Sequence, residues 1–582
     1  MQIQRLLSLP PGMVSHFQTL EGRDSGEWYC DSDPIEKKVG SGGGTASILA
    51  SAYKAEGYAG SFAEWLSLKK RMVIHSGGES RRLPAYAPYG KSLLPMPVFR
   101  WSKGQYLDQK LLDFQVSYYD KILKQSPDSY TCLVGSGDVM FISSDRFSNL
   151  PEADVLVFGI WVNDDVASRH GVFFSPRQNQ EQLSFVKQKP TRGALGKYAK
   201  DYFYLMDSGI VLMNAKTTQK LMEKSGWDEE SGSFTGAYPN YYDLYGDMLT
   251  SFGSEAKDVD PDFQGLDVKL VPLKEGEFYH FGSNRDLISS SLKLQNRVTD
   301  QRLKFTRESD HHPSIFQQNS KVGFQFEAGN KDIWIENSFV PLSWKLGHNH
   351  IITGVPENEW ELELPDGICL DLVHLSDGRF CLRPYGFDDG FRDSMEDGVV
   401  WMGRTLKEWL DERGIEAGAA GINSGESIFE LPLFPLLEKE DIPAMVSWMI
   451  EGKGSSEKWL GAERISARQL SERTDPVSLY AHREKLKEYT LPLLAKYHNK
   501  SIFYYMDLER SAADFRSLGL ELPGDLPEGE AIVKQISDHM FRARVFDNPS
   551  LSTGHEKQAF GILREEMIET LKSQRIEPIR NV

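Results

Sequence analysis

Between His75 and Pro97 the chain reads HSGGESRRLPAYAPYGKSLLPMP, and it carries the residue types that hold a polyphosphate. Gly77 and Gly78 have no Cβ, so with Glu79 and Ser80 they can turn successive backbone N–H groups toward one anion. Arg82 can add charge-assisted hydrogen bonds. Lys91, beyond the turn YAPYG, can reach an α-phosphate as a point charge. The competing reading is a plain Gly-Gly turn with both arginines in solvent. The stretch is not the ATP-binding P-loop, because Ala85 stands where GxxxxGK[ST] needs its first glycine and a proline-rich segment follows Ser92. It lacks the dinucleotide GxGxxG as well.

Two further stretches favour phosphate chemistry. In VGSGGGTASILA, Gly42, Gly43, Gly44 and Thr45 precede an apolar helical run, and a backbone cradle ahead of a helix suits an anion or a nucleobase edge. A flexible linker is the alternative. In LVGSGDVMF, Asp138 ends an apolar strand, where a carboxylate suits Mg²⁺ beside phosphates. An aspartate after glycine also forms turns.

The elements that must position these groups alternate over the first 300 residues. Strand-like runs at 72–77, 130–141, 153–162 and 202–213 are separated by helical periodicity, clearest at 104–125. This predicts an α/β domain whose ligands lie beyond the carboxyl ends of its strands. After about residue 300, short strands and frequent turns predict a small β-domain, read as a solenoid of short rungs. Helices are expected again at 404–414, 476–498, 528–546 and 556–574.

A chain of 582 residues predicts two to four domains. Its formal charge of −18 argues against a broad nucleic-acid or anionic-membrane surface but leaves room for a small basic pocket. Cys30, Cys132, Cys369 and Cys381 form no CxxC, so neither a disulfide framework nor a zinc site is expected. There is no cleavable apolar leader and no apolar run near 18 residues, so the expected location is the cytoplasm.

The order Gly77-Gly78-Glu79-Ser80-Arg81-Arg82, then Lys91 before LLPMP, resembles the signature of sugar-1-phosphate nucleotidyltransferases. The nearer resemblance is to L-fucose-1-phosphate guanylyltransferases, and within them to the N-terminal half of bacterial bifunctional fucokinase/GDP-fucose pyrophosphorylases. WYCDSDPIEKKVGSGGGTA, SGDVMF, YYDLYGD, GEFYHFGSNRDLISS, IWIENS, HIITGVPENEW and RPYGFDD carry it across nearly the whole chain. The resemblance implies transfer of GMP from GTP to L-fucose 1-phosphate, giving GDP-L-fucose and pyrophosphate. It implies a Rossmann-like nucleotidyltransferase α/β domain over 1–300, a left-handed β-helix-like domain over 301–430, and a helix-rich linker or oligomerisation region over 431–582. In the bifunctional proteins a fucokinase follows. No kinase module is evident here, so the chain is expected to be a stand-alone transferase or a piece of a longer protein.

In this chemistry Lys91 stabilises the transferring α-phosphate, Arg82 holds the β- and γ-phosphates, and Asp138 is the main ligand of Mg²⁺, with Mn²⁺ as an alternative. The Gly77, Gly78 and Ser80 loop supplies N–H donors, and Gly42–Thr45 lies against base or ribose. On the sugar side, VKQKP resembles the place of a substrate lysine. Strand alternation would put Lys187 and Lys189 on one face. Asp207 and Gly209 in YLMDSGIVLM are buried candidates for sugar hydroxyls. Tyr242, Asp243 and Asp247 could line the same pocket, helix-start capping being the alternative for Asp243. Many relatives carry a second metal-binding aspartate where this chain has His280, which could ligate a metal or bond a phosphate. His348 and His350 share a strand face without an evident third ligand. For Arg383 and Asp388, structural ion pairs are the expected role. The competing functions are a sugar-1-phosphate nucleotidyltransferase with another sugar or nucleotide, and a non-catalytic sugar-nucleotide-binding protein. A homo-oligomer is expected from the β-domain and the terminal helices.

Overall fold

The computed structural model describes residues 2–34, 36–97, 99, 109–257, 259–297 and 312–486. The helices expected at 528–546 and 556–574, and the end of that at 476–498, lie outside the described residues. The chain divides into two compact units. The first comprises 1–94, 110–286 and 468–476, and the second comprises 95–109, 287–467 and 477 onward.

The first unit is built on a nine-stranded mixed sheet. Its strands include β1 (Ile3–Ser8), β2 (Trp28–Asp31), β3 (Lys70–His75), β4 (Tyr130–Ser136), β6 (Val155–Ile160), β7 (Gly171–Pro176), β8 (Phe185–Gln188) and β9 (Tyr202–Asn214), while β5 (Val139–Ile142) pairs in a separate two-stranded sheet. The order is β2-β1-β3-β4-β9-β6, ending on the strand Val268–Pro272, while β7 joins β9 and β8 joins β7. The first four strands are mutually parallel, and β9 runs antiparallel to both β4 and β6. Strands of this kind are covered on both faces, and β3 and β4 accordingly read as buried runs. Leu6, Val73, Val134, Val157 and Val211 share one core with Ala46, Leu49 and Trp65. The last three come from helices Gly40–Glu56 and Phe62–Leu68. Ser61 begins the shorter helix in a full capping box with Glu64.

The sheet fixes one row of residues across its carboxyl edge. Asp31 pairs with Ser8, Ser8 with His75, and His75 with Ser136. Each chain then leaves its strand at the same level, so Asp33, Gly77 and Asp138 all lie just past that row. The β4–β5 turn is held there by Gly137 N–H on His75 O (2.9 Å), and Phe281 N–H on Asp138 O (2.8 Å) brings the strand Glu277–His280 beside it.

In the second unit, the strands Ile315–Gln318, Lys331–Glu336, His348–Thr353 and Ile368–His374 stack in parallel. Successive partners are 18, 17 and 18 residues apart, at Ile315 to Ile333, Ile333 to His350 and Ile352 to Leu370. Two shorter parallel ladders, Lys321–Val322 on Phe339–Val340 and Lys345–Leu346 on Glu363–Leu364, repeat the 18-residue step. The stack ends where Phe380–Gly386 pairs antiparallel with Ile368–His374. His350 is fully buried, one ring nitrogen facing Ile368 O and the other accepting from Gly347 N–H, so it is a packing histidine. Arg383 pairs with Asp371 inside this unit.

Candidate active site

A carboxylate at a strand end needs a partner when it is partly covered. Asp138 has three. Lys91 Nζ donates to Oδ2 at 3.0 Å, Ser136 Oγ donates to Oδ1 at 2.7 Å, and His280 Nε2 stands 3.5 Å from Oδ2. Burial by itself would raise this carboxyl, but the Lys91 ammonium, the His280 ring and the Ser136 hydroxyl hold it well below the usual range. His280 is itself held between carboxylates, with Nδ1 at 2.9 Å from Asp286 Oδ2. Burial pushes its imidazole down, and the bonds to Asp138 and Asp286 more than offset this, lifting it to about 9. At neutral pH His280 is therefore a cation held between two ionised carboxylates, Asp138 and Asp286, with Lys91 bonded to the first of them.

Asp286 was missed in the sequence. A local signal was present, since Ser283 and Asp286 have the spacing of a helix-start box. The Asp286 N–H donates to Ser283 Oγ (3.1 Å) and Ser283 Oγ donates to Asp286 Oδ2 (2.8 Å).

The glycine loop lies on the same edge. A Cβ on Gly77 would come within 2.9 Å of the Leu9 carbonyl and Ser8 Oγ, so only glycine lets the loop run this close to β1. The N–H groups of Gly77, Gly78, Glu79 and Ser80 have no partner among the described residues, as an anion cradle requires. Ser80 takes φ +48° and donates its hydroxyl to Gly78 O (3.2 Å). Arg82 is exposed, its carbonyl accepting from Asn284 N–H (2.9 Å). Glu79 is gripped by Arg81 (2.7 Å), Arg468 (3.3 Å) and Lys38 (3.7 Å). Arg468 was also missed, and nothing local could reveal it, because it is 389 residues away in sequence.

Several expected site residues are placed otherwise. Gly42, Gly43, Gly44 and Thr45 form no open loop. They lie in the first turns of the helix Gly40–Glu56, and the N–H groups of Gly42 and Gly43 both donate to Tyr242 O. A Cβ on Gly42 would stand 2.9 Å from that oxygen, so these glycines serve close packing. Thr45 is fully buried, bonded to Ser41 O and His75 Nε2 (both 2.9 Å). Tyr242 is buried, with its hydroxyl donating to Asp260 (3.1 Å). Asp243 takes the capping role, accepting from Tyr245 N–H, Gly246 N–H and Ser41 Oγ, while Asp247 accepts from Asp243 N–H. Lys187 and Lys189 do not share a strand face. β8 ends at Gln188, and Lys189 turns to φ +46° and is exposed. Lys187 lies over the Tyr198 ring at 5.6 Å.

Gly209 lies beside Ser136, and Asp207 precedes it by two residues on β9. β9 changes register against β6 at this point, and Gly209 adopts φ +76° opposite Ser136. Asp207 is buried, its Oδ1 accepts from Gly209 N–H (2.8 Å), and no cation bonds it among the described residues. Burial lifts it to about 7 against that one hydrogen bond. Tyr245 OH donates to Gly209 O (3.0 Å), and Gln188 Nε2 donates to Tyr245 O (2.8 Å).

The Asp138 carboxylate is a hard donor that fits Mg²⁺. No group of three His, Cys, Asp or Glu side chains that could hold a metal occurs among the described residues. A bound ion would therefore draw its remaining ligands from phosphates and water, the usual habit of Mg²⁺ with nucleotides. No helix among the described residues is long and apolar enough to cross a membrane.

Comparison with known proteins agrees with this chemistry. The family model described as fucose pyrophosphorylase domain matches residues 63–259 and 261–439. The chain is 39% identical over 585 residues to an L-fucokinase/L-fucose-1-P guanylyltransferase of Bacteroides fragilis, covering 99% of this chain and 61% of that protein. It is 23% identical to the bifunctional fucokinase/GDP-fucose pyrophosphorylase of Arabidopsis thaliana, covering 75% of this chain and 47% of that one. It is also 23% identical to the human fucose-1-phosphate guanylyltransferase, covering 48% and 52%. The chain thus spans about half to three-fifths of the length of these curated relatives.

Proposed function

The chain belongs to the fucose pyrophosphorylase family, and from that premise we propose that it transfers GMP from GTP to L-fucose 1-phosphate, yielding GDP-L-fucose and pyrophosphate. The observation that carries the proposal is the Lys91–Asp138–His280–Asp286 chain beside a glycine loop whose N–H groups have no partner among the described residues.

An oxygen of the sugar phosphate attacks the α-phosphorus of GTP. The new P–O bond forms as the α–β anhydride bond breaks and pyrophosphate leaves. The nucleophile is anionic at neutral pH, so alignment and charge neutralisation supply the catalysis. The loop Gly77–Ser80 donates N–H groups to the polyphosphate, and Arg82 holds its β,γ end. Lys91 exchanges its bond to Asp138 for the α-phosphate. His280, oriented by Asp286, keeps positive charge beside Asp138. Asp138 would hold Mg²⁺, or Mn²⁺, which when bound offsets charge on the leaving pyrophosphate. Asp207 accepts from a sugar hydroxyl, and Lys187 and Lys189 remain candidates for the sugar phosphate.

In the same reading, 1–300 is a Rossmann-like nucleotidyltransferase domain and 301–430 a left-handed β-helix-like domain. Residues 431–582 are read from the sequence as a helix-rich linker or oligomerisation region, of which 487–582 lie outside the described residues. The protein acts in the cytoplasm, needs neither nucleic acid nor membrane, and can self-associate or work beside a fucokinase domain. The test is pyrophosphate release from GTP and L-fucose 1-phosphate with Mg²⁺, with the nucleotide sugar identified by mass. GDP-fucose is the expected product. Binding of GTP without product from fucose 1-phosphate would overturn the substrate, and product from mannose 1-phosphate instead would reassign it.

A further inference from the structure

The donors at the phosphate end leave open which group reads the base. Guanine offers N1–H and the exocyclic 2-amine as two coplanar neighbouring donors, which one carboxylate can accept together. At the other end of the carboxyl edge stands Asp33. It follows β2 by two residues, is partly exposed, and its Oδ1 accepts from Ser8 Oγ at 3.2 Å. No other hydrogen bond or ion pair reaches its carboxylate among the described residues, so Oδ2 is available. The carboxylate is fixed from two more sides. A Cβ on Gly44 would stand 3.0 Å from Asp33 Oδ1, so the absence of a side chain there admits it. The same Cβ would be 3.5 Å from His75 Cε1, which places the His75 ring beside the carboxylate. That ring is spent on Thr45, at 2.9 Å.

The spacing suits a nucleotide. Ser8, which holds Asp33, is two strands from Ser136, which holds Asp138, and strands are about 4.8 Å apart. The Gly77 loop lies between them, against Ser8 and Leu9. Asp33 and Asp138 are thus held roughly 10 Å apart on one edge, a separation comparable to that between the base and the α-phosphate of a nucleotide.

We propose that Asp33 is a specificity-determining residue, its carboxylate accepting both N1–H and the 2-amine of guanine. This deepens the guanylyl-transfer reading and rests on it for the nucleotide. The test is direct binding of nucleoside triphosphates to the full chain, without sugar phosphate, using GTP, ITP and XTP. ITP lacks the 2-amine, and XTP has a carbonyl in its place. The wild type should bind GTP about 10-fold tighter than ITP, the worth of one charge-assisted hydrogen bond, and should reject XTP. Asp33→Asn keeps an acceptor for N1–H but turns a donor toward position 2. It should lose GTP by about 10-fold or more and bind XTP in preference. Equal wild-type affinity for GTP and ITP overturns the assignment without any variant. A folded Asp33→Asn that weakens all three nucleotides alike overturns it too, because a purely structural aspartate does that. The expected binding pattern with no transfer to any sugar phosphate leaves Asp33 standing and refutes the reaction instead.

Discussion

Asp138 meets Lys91 at 3.0 Å in the first unit, and Asp371 meets the Arg383 guanidinium in the second. The pairs are alike in charge and opposite in setting. The side chains of Lys91 and Asp138 are 15% and 20% exposed, and those of Arg383 and Asp371 are 1% and 3%. Arg383 donates Nε to Asp371 Oδ2 at 2.8 Å, and Thr353 Oγ1 completes the other oxygen at 2.5 Å. That pair is saturated and joined across adjacent strands, so it can do nothing but hold register. Lys91 reaches Asp138 by a single flexible stem and can leave it for a phosphate. An ion pair becomes useful for chemistry when one partner can exchange it for something else.

The largest effect should come from breaking the closed pair. Arg383→Ala strands a buried carboxylate and should cost about 3–5 kcal/mol in denaturant unfolding. Activity per folded molecule should survive, and loss of activity in protein that remains folded would blur the contrast between the units. Lys91→Ala should do the reverse, lowering turnover about 10²–10³-fold, or roughly 3–4 kcal/mol, with little change in unfolding midpoint.

Asp207 sharpens the comparison, because it is a buried carboxylate bonded by no cation among the described residues. Its folded-state value, raised to about 7, exceeds the unfolded value near 4. Below about pH 4 both states are protonated and no penalty applies. Stability should then fall between about pH 4 and 7 and stay reduced above that. Asp207→Asn should remove this slope and stabilise the protein at pH 8 by on the order of 4 kcal/mol. Parallel stability–pH curves for the two proteins would refute it. The smallest expected effect is Thr353→Val, about 1–2 kcal/mol from the lost hydroxyl on Asp371, read as a lower unfolding midpoint at unchanged activity.

Much of the first unit was legible because buried parallel strands are apolar runs. The stretches at 72–77, 130–141, 153–162 and 202–213 correspond to β3, β4 with β5, β6, and β9. The short-rung texture after residue 300 likewise matches the parallel stack with its 17- to 18-residue step. The Gly40–Thr45 run misled, since glycines signal either an open loop or a close approach, and only the Tyr242 carbonyl distinguishes them. The lysine pair misled because a period-two argument fails where the strand ends, at Gln188.

The sequence by itself determined the residue types and local order: a glycine loop, arginines, Lys91 and a strand-end Asp138, in a spacing that suits phosphate chemistry. Tertiary structure alone decided which of them meet. Lys91 and Asp138 are 47 residues apart, and Gly282 O reaches the same ammonium from 191 residues away. Asp33 acquires its neighbours from β1 and from the helix Gly40–Glu56. Sequence patterns report the contacts of one strand or one helix turn, whereas a site at a sheet's carboxyl edge is assembled from strands whose order the chain crosses and recrosses.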